Sequence, residues 1–248
     1  MFYIFNFYLG AIIGSFIYVC ILRLPNNEDV IFKKSYCEIC KTQIKWYYNI
    51  PLFSFVTLKG KSNCCNKSIS IGYFIIEFIV GLLFLTNSFL FNNFQLLLID
   101  FLVVISILII VIDYNEKIIF DIFSYSLIFI GLIINYYSPN LNPFNISIVN
   151  SMVTIFISST LFFSLQYFYK KIKKIEALGT GDILLIAGLT AWTGFLVFLY
   201  LLIISSIIGI FYYLLFNRKK LKDFQIPFGS ALCFSFVLLL YSNKIINL

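Results

Sequence analysis

The stretch that decides the fold runs from Phe94 to Asp113 and reads FQLLLIDFLVVISILIIVID. Apart from Asp100, it carries no charge until the aspartate that ends it. A helix needs about 20 consecutive apolar residues to cross the hydrocarbon core of a bilayer. The run therefore predicts a transmembrane helix that ends in a carboxylate at one membrane surface.

The whole 248-residue chain has the same character. Hydrophobic residues make up 61% of it and charged residues 12%, and the mean hydropathy is +0.96. Soluble globular domains have about a quarter of their residues charged, and disordered chains combine low hydrophobicity with high charge. Both classes are excluded, and we predict an all-α polytopic membrane protein. The chain has no histidine, so acid–base chemistry must come from carboxylates or other side chains.

The hydrophobic runs predict about eight transmembrane helices. In chain order they cover residues 2–22, 71–91, 94–113, 120–137, 146–168, 181–192, 194–216 and 227–241. The sixth is too short to span the bilayer unless neighbouring helices shelter its ends. We divide the chain into a first helix (1–22), a cysteine-containing cytoplasmic domain (23–70) and a transmembrane core (71–248).

The basic residues orient these helices, because lysine and arginine concentrate in cytoplasmic loops. Eight of them lie between Arg23 and Ser70, and further groups follow the third, fifth and seventh spans. Those groups are Lys117; Lys170, Lys171, Lys173 and Lys174; and Arg218, Lys219, Lys220 and Lys222. Only Lys244 falls on the other side. We therefore expect an outward N-terminus and a large cytoplasmic loop. The first run lacks a basic n-region, so we expect a retained span rather than a signal peptide.

Four of the six cysteines lie in that loop: Cys37, Cys40, Cys64 and Cys65. Cys37 and Cys40 form a CxxC pair, which in a reducing compartment favours metal binding over a disulfide. The second pair is irregular, because adjacent cysteines do not bind one ion with ordinary CxxC geometry. Three interpretations stay open: zinc held by all four thiols after a sharp bend, zinc with one position left to water, or a loop that has lost its metal.

Five acidic residues lie within or at the ends of predicted spans: Glu77, Asp100, Asp113, Asp121 and Asp182. Carboxylates at membrane depth indicate function. Asp113 ends the third span and Asp182 opens the sixth, so the topology places both on the cytoplasmic face. Two carboxylates that share a proton provide one acid and one base. This is the arrangement of aspartic proteases, and it needs no metal. We expect Asp100 to be structural, and Glu77 to pair with a basic residue or to assist a site on the cytoplasmic side.

Simpler roles compete with this interpretation. Asp182 and Asp121 could cap the helices that they begin, since aspartate is favoured there by hydrogen bonding and by the helix dipole. Asp113 could be a solvated span end. Gly179 and Gly181 favour a site near Asp182, because glycine permits unusual backbone and the close approach of another segment.

In their order along the chain, these residues resemble the type IV prepilin peptidases, a family of integral-membrane aspartic proteases. The matching segments are Gly10-Ala-Ile-Ile-Gly14-Ser15-Phe16, Arg23-Leu24-Pro25, Cys37-x-x-Cys40, Asn49-Ile50-Pro51, Gly60-Lys61, Ile69-Ser70, Glu77, Asp113 with Asp121, Glu176-Ala-Leu-Gly179-Thr-Gly181-Asp182 and Ile226-Pro227-Phe228-Gly229. The chain departs from the family pattern at Leu184, where a lysine is common, at Phe120, where a proline is common, and at Ser62, where the second pair's first cysteine is expected.

The resemblance implies a function. Such enzymes cut the short basic leader from type IV prepilins or pseudopilins at the cytoplasmic membrane face, and many then methylate the new N-terminus with S-adenosylmethionine. It implies that Asp113 and Asp182 are the catalytic pair. It implies that the supporting residues of their motifs are Gly179, Gly181, Asp121 and Glu176. It further implies a multi-pass protein of the bacterial cytoplasmic membrane that binds a prepilin and no nucleic acid.

Two other classes stay open. A proton-coupled transporter also uses buried carboxylates, but it predicts carboxylates spread through the bilayer and inverted repeats. The key carboxylates here gather at one face. A non-catalytic scaffold for pilus or secretion assembly predicts that neutralising Asp113 or Asp182 changes only stability.

Overall fold

A computed structural model of the chain describes residues 1–174, 178–216 and 225–246. The α-helices of these residues are α1 (Phe2–Arg23), α2 (Phe53–Thr57), α3 (Ile71–Leu90), α4 (Asn93–Glu116), α5 (Asp121–Tyr137), α6 (Ile148–Lys173), α7 (Thr180–Phe216) and α8 (Phe228–Ile246). Three short 3-10 helices cover Leu24–Asn26, Trp46–Asn49 and Pro139–Leu141. Within the described ranges, β-structure is limited to two isolated bridges, and the all-α prediction is confirmed.

Six of these helices are long and apolar enough to cross a membrane, namely α1, α3, α4, α6, α7 and α8, while α5 is shorter. The polytopic prediction is thus confirmed, and the number of eight spans stays a prediction. The predicted sixth and seventh spans correspond to two helices that meet at a kink within α7, where Gly194 has the non-helical angles φ +61° and ψ −175°. Glycine adopts this conformation without the penalty that a side chain would impose.

The break at Gly194 has consequences for hydrogen bonding. Carbonyl groups just before such a break lose their intrahelical partners, and in a membrane they need other donors. The Asn135 side-chain amide donates to the Ala191 carbonyl at 2.8 Å, and the Asn142 amide donates to the Trp192 carbonyl at 3.2 Å. Both asparagines are buried. Buried polar side chains of other segments therefore supply the hydrogen-bond donors for the carbonyl groups before the break.

The chain divides into two compact units, Met1–Val104 and Ile105–Leu248. In the first unit, α1 and α3 pack closely. Gly10 and Gly14 of α1 face α3, and a Cβ atom on Gly14 would lie 2.8 Å from the Cα atom of Glu77. Small residues four apart let membrane helices approach each other in this way.

In the second unit, α7 packs against α5, α6 and α8. Gly188 lies against α5, where an added Cβ would be 3.0 Å from the Cβ of Leu127. The Trp192 indole N–H donates to the Leu127 carbonyl at 2.9 Å. These contacts fix the first half of α7, and Asp182 lies in its first turn.

Candidate functional site

Asp113 lies near the C-terminal end of α4 and is only 4% exposed. Its Oδ2 atom accepts a hydrogen bond from the Ser230 backbone N–H at 2.6 Å. It lies 2.9 Å from the Ser230 hydroxyl, whose single proton it shares with the Ile110 carbonyl, also at 2.9 Å. Ser230 is the third residue of α8, so its N–H has no intrahelical partner. The carboxylate therefore caps α8, where the helix dipole favours negative charge. Asp113 is not the solvated span end that was one expectation.

Asp182 is the third residue of α7 and is half-buried. Its Oδ2 atom accepts a hydrogen bond from the Gly179 N–H at 3.3 Å. Acidic side chains at this position commonly reach back to the residue before the helix in this way. Asp182 also interacts electrostatically with Asp113. The structure thus gives Asp182 one of the two roles that the sequence left as alternatives, that of a helix cap, and its membership of a carboxylate pair stays a prediction.

Ile119 lies between the two glycine-containing motifs of the second unit. A Cβ atom on Gly181 would lie 3.3 Å from the Ile119 Cβ. A Cβ atom on Gly229 would lie 2.5 Å from the Ile119 Cδ1 and 3.2 Å from Oδ2 of Asp113. Both glycines therefore leave room for a side chain that approaches their backbone. This gives Gly181 and Gly229 a packing role next to the aspartates.

The remaining predicted carboxylates lie elsewhere. Asp121 is the exposed first residue of α5. Asp100 is buried, and its Oδ1 atom accepts a hydrogen bond from the Asn87 amide at 2.7 Å, in agreement with a structural role. Glu176 lies outside the described residues. So do four of the basic residues used to orient the chain, Arg218, Lys219, Lys220 and Lys222.

Glu77 bonds to a backbone amide, whereas one of the two expectations was a basic partner. It is buried in α3, and its Oε2 atom accepts a hydrogen bond from the Leu52 N–H at 2.7 Å. Leu52 has φ +61° and ψ −49°, a conformation that is unfavourable for a bulky residue. The carboxylate therefore stabilises a strained turn of the loop domain (residues 23–70).

The four cysteines predicted to bind metal meet in this loop domain, with all four Sγ atoms within 4.8 Å of one another. They lie on two turns of the same shape. In the first, the Cys37 N–H donates to the Thr42 carbonyl at 2.9 Å, and in the second the Ser62 N–H donates to the Lys67 carbonyl at 2.8 Å. Ser62 thus takes the place that Cys37 has in the first turn.

A sharp bend of the chain lets both adjacent cysteines, Cys64 and Cys65, reach the first pair. The Sγ atom of Cys64 lies 3.0 Å from that of Cys40, and the Sγ atom of Cys65 lies 3.8 Å from that of Cys37. Hydrogen bonding, first to the Ser62 hydroxyl, lowers the pKa of the exposed Cys64 thiol to about 6. The deprotonated thiol is the form that binds metal.

This donor set fits a zinc ion. Four Zn–S bonds of about 2.3 Å in a tetrahedron place the sulfur atoms about 3.8 Å apart. The distance between Cys37 and Cys65 has this value, and the distance of 3.0 Å between Cys40 and Cys64 is shorter. A small separation of Cys40 and Cys64 would bring their sulfur atoms to the tetrahedral distance as well.

A cavity of about 510 Å³ lies in the first unit. Its walls include aromatic rings and carboxylates, among them Tyr36, Tyr48, Tyr73, Glu28, Glu38 and Glu77. The Tyr73 hydroxyl donates to Oε1 of Glu38 at 2.9 Å. Arg23, also in the wall, donates to backbone carbonyls of the loop domain and lies over the ring of Tyr36. The cavity has the size of a small-molecule site.

Sequence reasoning missed two residues of the aspartate site, Ser230 and Ile119. The motif that drew attention to α8 ended at Gly229, one residue before the serine that holds Asp113. The available signal was a serine in the first turn of a helix, where its backbone N–H needs an acceptor. The sequence carried no comparable signal for Ile119.

Two protein-family models match the chain. Residues 8–91 match the Bacterial Peptidase A24 N-terminal domain, and residues 101–214 match the Type IV leader peptidase family. Among curated relatives, the prepilin leader peptidase/N-methyltransferase of Pectobacterium carotovorum subsp. carotovorum is 30% identical over 88% of this chain and 85% of that protein.

The protein of the same name from Vibrio cholerae is 28% identical over 96% of this chain and 95% of that protein. The one from Klebsiella pneumoniae is 32% identical over 77% of this chain and 84% of that protein. No solved structure matches the chain. Together with its apolar helices, these relatives make the chain a multi-pass protein of the bacterial inner membrane. The chain belongs to the type IV leader peptidase family.

Proposed function

We propose that the chain cleaves the leader from type IV prepilins or pseudopilins with Asp113 and Asp182, and then methylates the new N-terminus. The relatives that it matches over most of their length are named prepilin leader peptidase/N-methyltransferase. One observation carries the assignment of the catalytic pair. Two carboxylates at helix ends of the second unit interact electrostatically, and one of them is held by two donors of Ser230.

The hydrogen bonds assign a role to each carboxylate, because donors to a carboxylate favour its ionised form. Asp113 receives a bond of 2.6 Å and shares the proton of a second donor at 2.9 Å, whereas Asp182 receives one bond of 3.3 Å. Asp113 is therefore the base that takes a proton from water as the oxygen attacks the peptide carbonyl carbon. Asp182 is the acid that protonates the amine as the C–N bond breaks. A proton then passes from Asp113 to Asp182 and restores the pair.

We place the N-terminus outside the cell and the loop domain in the cytoplasm. The loop domain carries eight basic residues, and the last turn of α6 carries Lys170, Lys171 and Lys173. Basic residues are retained on the cytoplasmic side. In this orientation the C-terminal end of α4 and the N-terminal end of α7 both meet the cytoplasm. The basic leader of the family's substrates also lies there.

For methyl transfer, we propose that the cavity of the first unit binds S-adenosylmethionine, which supplies the methyl group. Its sulfonium cation suits a wall of carboxylates and aromatic rings, because aromatic faces attract cations. Glu38 and Tyr73, joined by a hydrogen bond of 2.9 Å, would orient the ligand. Calorimetry with S-adenosylmethionine, which carries the sulfonium cation, tests this site directly, and Glu38→Gln should weaken binding about 10-fold, as expected for one lost charged contact.

We propose that Cys37, Cys40, Cys64 and Cys65 hold a structural zinc ion. The metal would join the two turns that carry the cysteines, and structural zinc contributes directly to folding free energy. It takes no part in the hydrolysis, for which two carboxylates suffice.

The experiment that tests the catalytic pair uses a prepilin from the same genome and purified variants of the chain. Asp113→Asn and Asp182→Asn should each lower cleavage by about 10³-fold or more, because each removes the base or the acid. Glu116→Gln is the matched control, since it neutralises an exposed carboxylate three residues from Asp113. Intact mass of the pilin reports loss of the leader and the added methyl group of about 14 Da.

Cleavage at the wild-type rate by either aspartate variant would contradict the paired mechanism. If the wild type itself left the pilin intact while folded, the scaffold interpretation would replace it. A proton-coupled transporter predicts proton flux in vesicles and no change in pilin mass.

A further inference from the structure

The segment Trp46–Leu58, WYYNIPLFSFVTL, carries no charge and is flanked by Lys45 and Lys59. Apolar stretches of about 10–14 residues are typical of buried core helices or of re-entrant and interfacial segments. This one contains the 3-10 helix Trp46–Asn49 and the five-residue helix α2, and neither has a buried residue. It is therefore no core helix, and we call it the aromatic segment.

A hydrogen bond fixes the depth of the aromatic segment. The Leu52 N–H donates to Glu77, which lies six residues after Ile71, the first residue of α3. At 1.5 Å per residue, Glu77 is about 9 Å along the helix from its end. The 20 residues of α3 are about 30 Å long, which is the thickness of the hydrocarbon core. The Leu52 N–H therefore meets α3 at a point inside its length, closer to the membrane centre than the first residue of the helix.

Contacts on both sides of Leu52 agree with this depth. The Phe55 ring lies 5.2 Å from the ring of Phe74, in the first turn of α3. Gly14 of α1 also lies against Glu77, since an added Cβ atom would be 2.8 Å from the Glu77 Cα, and Gly14 is nine residues, or about 14 Å, before Arg23 at the end of α1. Both α1 and α3 thus extend further toward the loop domain than the level of Glu77, at which the aromatic segment contacts α3.

The other side of the aromatic segment is uncovered. Trp46 is 79% exposed, and Phe53 and Val56 are each 63% exposed. Phe53 and Val56 are three residues apart and so lie on the same face of α2. Tryptophan concentrates at membrane interfaces, and flanking lysines extend their amines to the headgroups while their stems stay in the apolar region.

We propose that the aromatic segment inserts into the lipid leaflet on the side of the loop domain, with Trp46 at the boundary between headgroups and acyl chains. Phe53 and Val56 would contact the acyl chains, and Lys45 and Lys59 would bind anionic headgroups. The insertion explains the buried carboxylate of Glu77. Irregular backbone at membrane depth needs protein partners for its polar groups, and Glu77 supplies one to Leu52. The proposal is independent of the proposed enzymatic activity.

The chain offers a direct probe, because it has two tryptophans and Trp192 is fully buried. The full-length protein is placed in nanodiscs of anionic phospholipid, with or without bromine near the carbonyl end of the acyl chains. Subtracting the emission of Trp46→Phe from that of the wild type gives the emission of Trp46. The variant alone reports Trp192 and shows whether bromine reaches the helical bundle.

We expect brominated lipid to remove about half of the Trp46 emission or more, and aqueous iodide to remove little, as for a tryptophan at the acyl boundary. The Trp192 emission should change little with either quencher. Iodide quenching of Trp46 without bromine quenching would place the segment in water. Quenching by neither would mean that protein, such as a second copy, covers it. Either result overturns the proposal.

A pair of variants tests the anchor. Glu77→Ala removes the acceptor of the Leu52 N–H, and the bromine quenching of Trp46 should fall by about half or more as the turn leaves the membrane, where an unpaired amide is unfavourable. Glu77→Gln keeps an oxygen acceptor and should keep the quenching. Equal quenching in both variants, with both proteins folded, would contradict the anchoring role of Glu77.

Discussion

The two candidate sites of this chain are built in different ways. In the second unit, Asp113 and Asp182 lie on long regular helices, and their partners are helix-terminal N–H groups and the Ser230 hydroxyl. In the first unit, the cysteines lie in a loop domain with little regular structure, and this domain also forms most of the cavity wall. Five of its non-glycine residues have positive φ, at Asn27, Lys41, Leu52, Lys59 and Asn66. The geometry of the loop site therefore depends on individual turns and the contacts that hold them, whereas the positions of the aspartates depend on helix packing.

This difference predicts that the loop domain fails when its metal is lost and that the aspartate site does not. Cys37→Ser should reduce bound zinc from about one ion per chain to almost none, because a structural site needs four ligands. Affinity for S-adenosylhomocysteine should fall by about 10-fold or more as the turns loosen. Prepilin cleavage should stay within about twofold, because the carboxylates need no metal. Zinc analysis, calorimetry and intact mass give the three readouts.

Cys20→Ser is the control for this prediction, because it removes a buried thiol of α1 in the same unit. It should keep the zinc. A wild-type protein without zinc would leave the cluster as four thiols held by packing alone. A Cys37→Ser variant that keeps its zinc would show that Cys37 is not a necessary ligand.

The aspartate site should respond to a change at Ser230 instead. Ser230→Ala removes one of the two donors to Asp113 and keeps the backbone N–H. Losing a hydrogen bond to a charged group costs about 1.5–3 kcal/mol, so kcat for cleavage should fall about 10- to 100-fold. Methylation of a pilin whose leader was already removed should not change. Cleavage kinetics and methylation are measured on the same preparations.

Ser230→Thr keeps the hydroxyl and should recover most of the cleavage rate. If alanine and threonine variants lost the same activity, the effect would come from packing at the start of α8 rather than from the hydrogen bond to Asp113.

The sequence could predict an aspartate pair because hydrophobic runs and charge placement specify where helices end and on which side of the membrane. The end of α4 and the start of α7 follow from hydrophobic runs, and the break at Gly194 separates two of the predicted runs. The sequence could not specify that Ser230 holds Asp113, because the two are 117 residues apart and meet only through packing.

The loop domain was harder to predict for a physical reason. Whether adjacent Cys64 and Cys65 can both reach one ion depends on the backbone angles of a single turn, which hydrophobic patterning does not determine. The contact between Glu77 and Leu52 depends in the same way on one unfavourable turn. Patterns predict regular helices well, and irregular turns are determined by the contacts that stabilise them.

A smaller effect is expected at Gly194, and it tests how far the stability of the second unit depends on this one non-helical residue. Gly194→Ala should lower the free energy of unfolding by about 1–3 kcal/mol, because it forces a side chain into a sparsely populated conformation. Its Cβ atom would also lie 2.8 Å from Cδ1 of Ile146. Gly209→Ala, in the part of α7 that follows the kink, is the control. The atom nearest to its added Cβ would be 3.7 Å away, and the substitution should be neutral or stabilising by about 0.5–1 kcal/mol. Thermal unfolding in detergent compares the two, and equal melting temperatures would show that α7 is not strained at Gly194.

The smallest effect is expected at Asp121. The family motif gives it a supporting role, but the structure places it exposed at the first residue of α5. An acidic side chain there interacts with the helix dipole for about 0.3–1 kcal/mol, so Asp121→Asn should change melting only slightly and cleavage by no more than about threefold. Asp121→Glu keeps the charge and should match the wild type. A loss as large as that of Asp113→Asn would show that Asp121 approaches the reacting groups when the prepilin binds. The aspartate site would then depend on a local rearrangement as well as on helix packing. In that respect it would resemble the site in the loop domain.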